Sequence, residues 1–366
     1  MATRVNKLES QKKPVYFILS TVAIIALSLA ATEIALRIYH YFHPIYIFYD
    51  NSYARFRGKP FAQHWDFKLN SQGFKNREFT KKENSTYRIL GIGDSFVYGV
   101  VPHKNNYLTL LESQLREDRF NVEVLNMGIP STGPKQYFEL LLREGLTLQP
   151  DMVLLFFFVG NDFTDSQRRW SRRRWYTYSY VTSLLHYFLV TRSKYDVRFV
   201  HTGTYCDDCP VFEPATYLQI AKTRSSIYLA RDQAWEKLLQ DTMFYLNQIH
   251  QICRTKKIDF EVVIIPDEVQ VNDSLQTEVR SLFPEALQKT WNITYPIDRF
   301  TDALKQAKID YIDLYPQFVR AGKARSLYRP RDSHWNIAGN RLAAEIIEKN
   351  IRYHLERIAV DKLPAS

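Results

Sequence analysis

The sequence predicts an α/β fold: a three-layer α/β/α domain with a mostly parallel sheet, preceded by one N-terminal transmembrane helix. Three observations carry this. Short apolar runs alternate with amphipathic helical stretches from about residue 85 onward. Some of these runs, such as Asp151–Val159 (DMVLLFFFV), are apolar almost throughout, as strands buried on both faces are. And Val15–Thr32 (VYFILSTVAIIALSLAAT) carries no charge.

That uncharged run comes first. At about 1.5 Å per residue it spans roughly 27 Å, just enough for a bilayer core. Arg4, Lys7, Lys12 and Lys13 precede it against one acid, Glu9. The bias keeps the N-terminus cytoplasmic and sends the rest outside. Residues 1–14 are then a cytoplasmic tail and 15–36 the anchor. Arg37 and the aromatics from Tyr39 to Tyr49 suit an interfacial belt. Two alternatives stand beside the anchor: a signal peptide cleaved after Ser28-Leu29-Ala30, and a buried core helix.

Residues 37–84 read as a polar, turn-rich connector. Tyr87–Ile92 is a strand, Asn105–Arg116 a helix with Leu108, Leu111 and Leu115 on one face, and Val122–Leu125 a second strand. Lys135–Gly145 is helical and Asp151–Val159 the third strand. Residues 163–231 break the rhythm and read as an insertion. Asp232–Lys256 is a long amphipathic helix, Phe260–Ile265 a strand, Ile297–Ala307 a helix, Tyr311–Leu314 a short strand and Asn336–His354 a helix. Alternation at this spacing makes a parallel sheet covered on both faces. The domain is drawn over 85–356, with a C-terminal tail over 357–366.

Composition agrees. With 45% hydrophobic and 24% charged residues over 366 positions, the chain is long enough and apolar enough for a large core. Three Cys exclude a disulfide-dense scaffold. A net charge of +10 with 14% aromatic residues suits nucleic acid, a membrane surface or an acidic glycan. No nucleic-acid module accompanies the charge, so that partner is set aside.

Ligand sites in such sheets lie beyond the carboxyl ends of the strands. Gly93-Asp94-Ser95 follows the first strand, Asn126-Met127-Gly128 the second and Gly160-Asn161-Asp162 the third; Asp332-Ser333-His334-Trp335 precedes the last helix. This is the inventory of acyl transfer. A serine hydroxyl is a weak nucleophile until a base takes its proton, and imidazole titrates near neutrality. Asp332 can hold the tautomer of His334. The N–H groups of Ser95 and Gly128 and the amide of Asn161 can meet the oxyanion, each such donor being worth about 2.7–4 kcal/mol of barrier.

Block by block and in order, these residues resemble the SGNH (GDSL) hydrolase superfamily over about residues 85–355, the insertion excepted. The resemblance implies a flavodoxin-like sheet, Ser95 as nucleophile, His334 as base, and Gly128 and Asn161 as oxyanion donors. Asn70-Ser71-Gln72-Gly73-Phe74 and Asp332-Ser333-His334-Trp335-Asn336 resemble a bacterial membrane-anchored subgroup with an Asp-x-His-Trp block. Many superfamily members have two residues between the Asp and the His; here only Ser333 stands between them.

Other motifs are weak. Gly91-Ile92-Gly93 lacks the third glycine of a dinucleotide fingerprint, and there is no P-loop, His-Glu-x-x-His pair or Gly-x-Ser-x-Gly elbow. No cofactor and no metal are expected. Cys206 and Cys209 are half a zinc site at most and outside the cytoplasm would pair as a disulfide. Arg168, Arg169, Arg172, Arg173 and Arg174 form the densest basic run. They read as a solvated face or as a contact to an anionic surface, lipid headgroups or acidic glycan.

The sequence thus reads as a single-pass bacterial inner-membrane protein whose catalytic domain faces the periplasm or exterior. The alternative is export after signal cleavage. The expected activity is a serine esterase removing an O-acyl group, acetyl as first choice, from a cell-envelope glycan. The rivals are an O-acetyltransferase onto a glycan hydroxyl with a membrane acyl-donor protein as partner, a lipid esterase, and a non-catalytic envelope scaffold.

Overall fold

The computed structural model describes residues 2–42, 58, 60–165, 175–194, 204–229 and 233–361. The chain divides into two units, Met1–Arg55 with Arg172–Arg192, and Phe56–Ser171 with Ser193–Ser366.

The first unit is built on helix α1 (Ala2–Phe42). Its segment Tyr16–His40 has a mean hydropathy of 2.1 and is 0% buried. A helix whose apolar stretch is left exposed is not a core helix of a soluble domain, so the buried-helix alternative falls. A single-pass anchor or a signal sequence both fit. Trp175–Tyr178 form a 3₁₀ turn and Tyr180–His186 a short helix, continued by a π turn over Tyr187–Thr191.

The second unit holds a five-stranded parallel sheet, after a small antiparallel hairpin of β1 (Gln63–His64) and β2 (Phe67–Lys68). Its strands are β3 (Tyr87–Gly93), β4 (Val122–Gly128), β5 (Met152–Phe158), β6 (Asp259–Ile265) and β7 (Asp310–Asp313). Their order is β4-β3-β5-β6-β7, all neighbours parallel. The order reverses between β3 and β5, the position where a crevice opens at the carboxyl edge.

Period-two alternation sends side chains to opposite faces of each strand. Leu90, Ile92, Leu125, Met127, Val153, Leu155 and Phe157 share one core with α4 (Pro134–Arg143), α6 (Gln233–Lys256) and α7 (Tyr295–Gln306). Ile89, Val124, Leu154, Phe156 and Val263 share the other with α3 (Tyr107–Glu117), α8 (Tyr315–Gly322) and α9 (Ile337–Asp361). The fold is the expected three-layer α/β/α arrangement with a flavodoxin-like strand order.

Three boundaries differ from those read in the sequence. The connector drawn over 37–84 is cut at residue 56: beyond it the chain is part of the second unit, because Phe74 and Lys75 are fully buried there. The insertion drawn over 163–231 is not one body. Residues 172–192 belong to the first unit, whereas α5 (Pro214–Arg224) buries Tyr217 and Ala221 in the second. The tail drawn from 357 is helical as far as Asp361, where α9 ends.

At the amino edge of the sheet, Arg88 is a buried cation. Its Nε donates to Glu123 Oε2 at 2.6 Å, Nη1 to the Leu148 carbonyl at 2.6 Å and Nη2 to the Thr80 carbonyl at 3.0 Å. Breaking such a pair strands a buried charge, at a cost of about 3–5 kcal/mol. Arg88→Ala should lower the unfolding free energy by that order in a denaturant titration; a loss under about 1 kcal/mol, the range of an exposed pair, would contradict this.

Candidate active site

The turn after β3 fixes Ser95. The Asp94 carboxylate accepts the Phe96 N–H at 2.9 Å and caps a one-turn helix, α2 (Ser95–Tyr98). Asp94 is itself buried, and burial raises its pKa above the ordinary carboxylate value. Ser95 is the first residue of α2, so its N–H has no partner inside the helix.

His334 lies on a loop closed by Arg329 N–H donating to the His334 carbonyl (3.0 Å) and Asn336 N–H donating to the Leu327 carbonyl (3.1 Å). One ring nitrogen, Nε2, is 2.7 Å from Ser95 Oγ; the other, Nδ1, is 2.6 Å from Asp332 Oδ1. Asp332 Oδ1 also accepts the His334 backbone N–H at 3.3 Å. That local Asx-type turn is what a spacing of two permits, so the single intervening Ser333 suits the geometry. The second carboxylate oxygen of Asp332 accepts from Arg329 Nη1 at 2.9 Å. Burial pushes the Asp332 carboxyl up, but His334 and Arg329 outweigh it, and the pKa lies below its ordinary 3.8.

The expected oxyanion donors fare differently. Asn161 is half-buried; its amide nitrogen donates to Asp165 Oδ2 at 3.0 Å, and its side chain also hydrogen-bonds the buried Asp94 carboxylate. Asp162, buried, accepts from the Tyr137 hydroxyl at 3.0 Å and from the Phe158 N–H at 2.9 Å and so fixes the turn. Gly128 does not offer a donor: its N–H is engaged by Asn126 Oδ1 at 2.9 Å. Glycine is needed there for packing instead, since a Cβ would lie 2.1 Å from the Tyr98 nitrogen. Further along the same loop, Ser131 stands at φ 60°. Its N–H takes no partner among the described backbone hydrogen bonds. The loop runs beside the Asn161 turn, because a Cβ on Gly133 would come within 2.8 Å of Asp165 Cβ. Pro130-Ser131-Thr132-Gly133, a polar turn at a strand end, was the signal for it in the sequence.

Other residues escaped the sequence reading. Arg329, buried behind Asp332, comes from a stretch with no motif. Arg224, at the end of α5, donates to Ser333 Oγ. Buried Lys75 donates to the carbonyls of Gly99 and Val101, just past α2, and burial pulls its ammonium down to about 7 against a smaller opposing effect of Asp66. Cys206 and Cys209 form a disulfide. Within its loop Asp207 accepts the Ile337 N–H at 3.1 Å, at the start of α9, and the following Val211 and Phe212 N–H groups donate to the carbonyls of Pro330 and Arg331. The disulfide loop thereby braces the segment that carries Asp332 and His334. The basic run Arg168, Arg169, Arg172, Arg173 and Arg174 lies outside the described residues. Among the described residues no group of three or more His, Cys, Asp or Glu is arranged to hold a metal.

Residues 223–364 match the family model described as the SGNH hydrolase-like domain of acetyltransferase AlgX. The matched segment holds Asp332 and His334 but not Ser95. No curated protein matches the sequence. Among solved structures, the chain is similar to the acetyl xylan esterase AlAXEase, at 16% identity and a TM-score of 0.40, over 72% of this chain and 99% of that one. It is similar to a lipase/acylhydrolase from Enterococcus faecalis at 15% identity and a TM-score of 0.39, over 73% and 96%. It is similar to TesA at 13% identity and a TM-score of 0.39, over 72% and 97%.

The second unit should show its buried carboxylate in acid. With a folded pKa below the unfolded one, Asp332 contributes stability that is complete above 3.8 and is lost as pH falls through the folded value. Arg329→Met weakens the downward pull and should shift acid unfolding to higher pH, followed by Trp fluorescence against pH. An unchanged acid midpoint would contradict the assignment.

Proposed function

We propose that this chain moves a short acyl group, acetyl as first choice, on a cell-envelope glycan through an ester on Ser95. The observation that carries the reading is the continuous line Ser95 Oγ–His334–Asp332–Arg329, with contacts of 2.7, 2.6 and 2.9 Å. His334 Nε2 takes the Ser95 proton as Oγ attacks the ester carbonyl; Asp332 keeps the other proton on Nδ1 and steadies the imidazolium. The N–H groups of Ser95 and Ser131 meet the negative oxygen, and the Asn161 amide turns toward it from its carboxylate partners. The tetrahedral adduct collapses, the alcohol leaves with the proton from His334, and acyl-Ser95 remains. The oxygen of an incoming hydroxyl then attacks the acyl carbon as His334 takes its proton, the bond between the acyl carbon and Ser95 Oγ breaks, and His334 returns the proton to Oγ.

The identity of that hydroxyl separates two readings. Water makes the protein an esterase. A sugar hydroxyl makes it an O-acetyltransferase, and the match of residues 223–364 to an acetyltransferase domain favours this second reading. A transferase of this kind would receive its acyl group from a membrane acyl-donor protein. In both readings α1 holds the chain in the membrane with the catalytic domain on the outer side.

The full chain in detergent should hydrolyse p-nitrophenyl acetate, and Ser95→Ala should lower kcat/KM by roughly a thousandfold or more. Equal rates for the two proteins would refute the mechanism and favour a scaffold. Adding a glycan oligosaccharide separates the readings: mass-shifted, acylated sugar supports transfer, whereas free acetate alone supports hydrolysis.

A further inference from the structure

The apolar surface of the first unit does not end with α1. Trp175, Tyr178, Leu185, Phe188, Leu189 and Val190 are all exposed, Trp175 by 76% and Leu189 by 77%. They lie on a short segment that the chain reaches only after leaving the membrane-proximal end and passing through much of the second unit. Yet this segment docks on α1 through specific contacts. Glu33 accepts from the Ser179 hydroxyl at 2.7 Å and from the N–H groups of Tyr180 and Val181 at 3.0 Å each. The Arg37 guanidinium lies 4.6 Å from the centre of the Tyr180 ring, and the His40 ring meets the same tyrosine edge-on at 5.4 Å. Glu33, Arg37 and His40 are spaced i, i+4, i+7 and share one face of α1.

The depth of these contacts decides what faces the other side of the segment. A bilayer core takes about 20 helical residues, so a span begun at Tyr16 reaches the far boundary near residue 35. Glu33–His40 therefore lie where hydrocarbon meets headgroups, and a carboxylate with three donors and a neighbouring Arg is tolerable there. The segment docked on them lies at the same level. Its composition fits that level: Trp and Tyr at one end, Leu, Phe and Val at the other, and Arg192 with its guanidinium 5.7 Å from the Phe188 ring. The sequence adds Arg172, Arg173 and Arg174 just before it, charges complementary to anionic headgroups.

We propose that residues 175–191 are a second membrane-contacting element, a short helix lying in the headgroup–acyl boundary beside the C-terminal end of α1, with the lipid bilayer as its partner. The proposal rests on the reading of α1 as a retained membrane anchor. Its exposed apolar face continues the exposed apolar surface of α1, and lipid covers both.

The test uses the full chain reconstituted into vesicles of phosphatidylcholine and phosphatidylglycerol. Leu189→Cys and, separately, Leu185→Cys carry an environment-sensitive fluorophore, with Leu287→Cys, exposed on the second unit, as control. Cys206 and Cys209 are paired and Cys253 is buried, so the introduced thiol is the one that reacts. The expected result is several-fold stronger quenching at 189 and 185 than at 287 by lipids with a nitroxide high on the acyl chain, and several-fold weaker quenching by aqueous iodide. Iodide access at 189 and 185 equal to that at 287, in protein that alkaline carbonate leaves in the vesicles, would overturn the proposal alone. Release of the chain by carbonate would overturn the anchor reading itself. Protection that vanishes as the protein is diluted into lipid would assign the face to a second copy and likewise overturn the lipid contact.

Discussion

The contact between Ser95 Oγ and His334 Nε2, 2.7 Å long, joins positions 239 residues apart in the chain. Nothing local makes it. It exists because β3 and its neighbours run parallel, so their carboxyl ends share one edge, and because the sheet order reverses between β3 and β5. Ser95 leaves the first of these ends and Asn161 the second. The remaining side, the loop of Asp332 and His334, is held by its own bridge between Tyr328 and Trp335 and by the disulfide loop at 206–209. A hydroxyl beside an imidazole is thus a property of the topology, and the two packed cores on either face of the sheet hold it rigid.

Burial of Asp332 is the constraint that shapes the imidazole side. A lone buried carboxylate would take up a proton and lose its hold on His334. Here one oxygen faces the ring and backbone of His334 and the other faces Arg329, so the ionised form is kept. Arg329 in turn lies 5.4 Å from the face of Tyr205, next to the disulfide. The cation that makes the acid–base pair workable is itself positioned by a segment some 120 residues earlier in the chain.

Much of this was legible in the sequence, for a physical reason in each case. Buried parallel strands must be apolar on both faces, so β3, β5 and β6 stood out within a residue or two. Polar side chains at strand ends stood out, so Ser95 and Asn161 were legible in the sequence, and His334 stood out as an imidazole on the loop before the last helix. Gly128 shows the limit: a glycine marks a close approach, but not whether its N–H or its missing Cβ is the point. Here the close approach is to the backbone of Tyr98, and the N–H is turned to Asn126. Arg329, Arg224 and Lys75 carried no motif, because a buried cation is defined by partners distant in sequence. The connector and insertion boundaries failed similarly. Phe74 and Tyr217 sit in polar stretches, and only the fold brings them into the core.

The central claim is that Ser95 is an activated nucleophile by virtue of His334. A fluorophosphonate, which reacts covalently only with an activated hydroxyl, reads this directly when the modified peptide is found by mass spectrometry. The account predicts one adduct, on Ser95, in the wild-type chain and none in His334→Ala. An adduct on another serine, or labelling of Ser95 that is undiminished without the histidine, would contradict it.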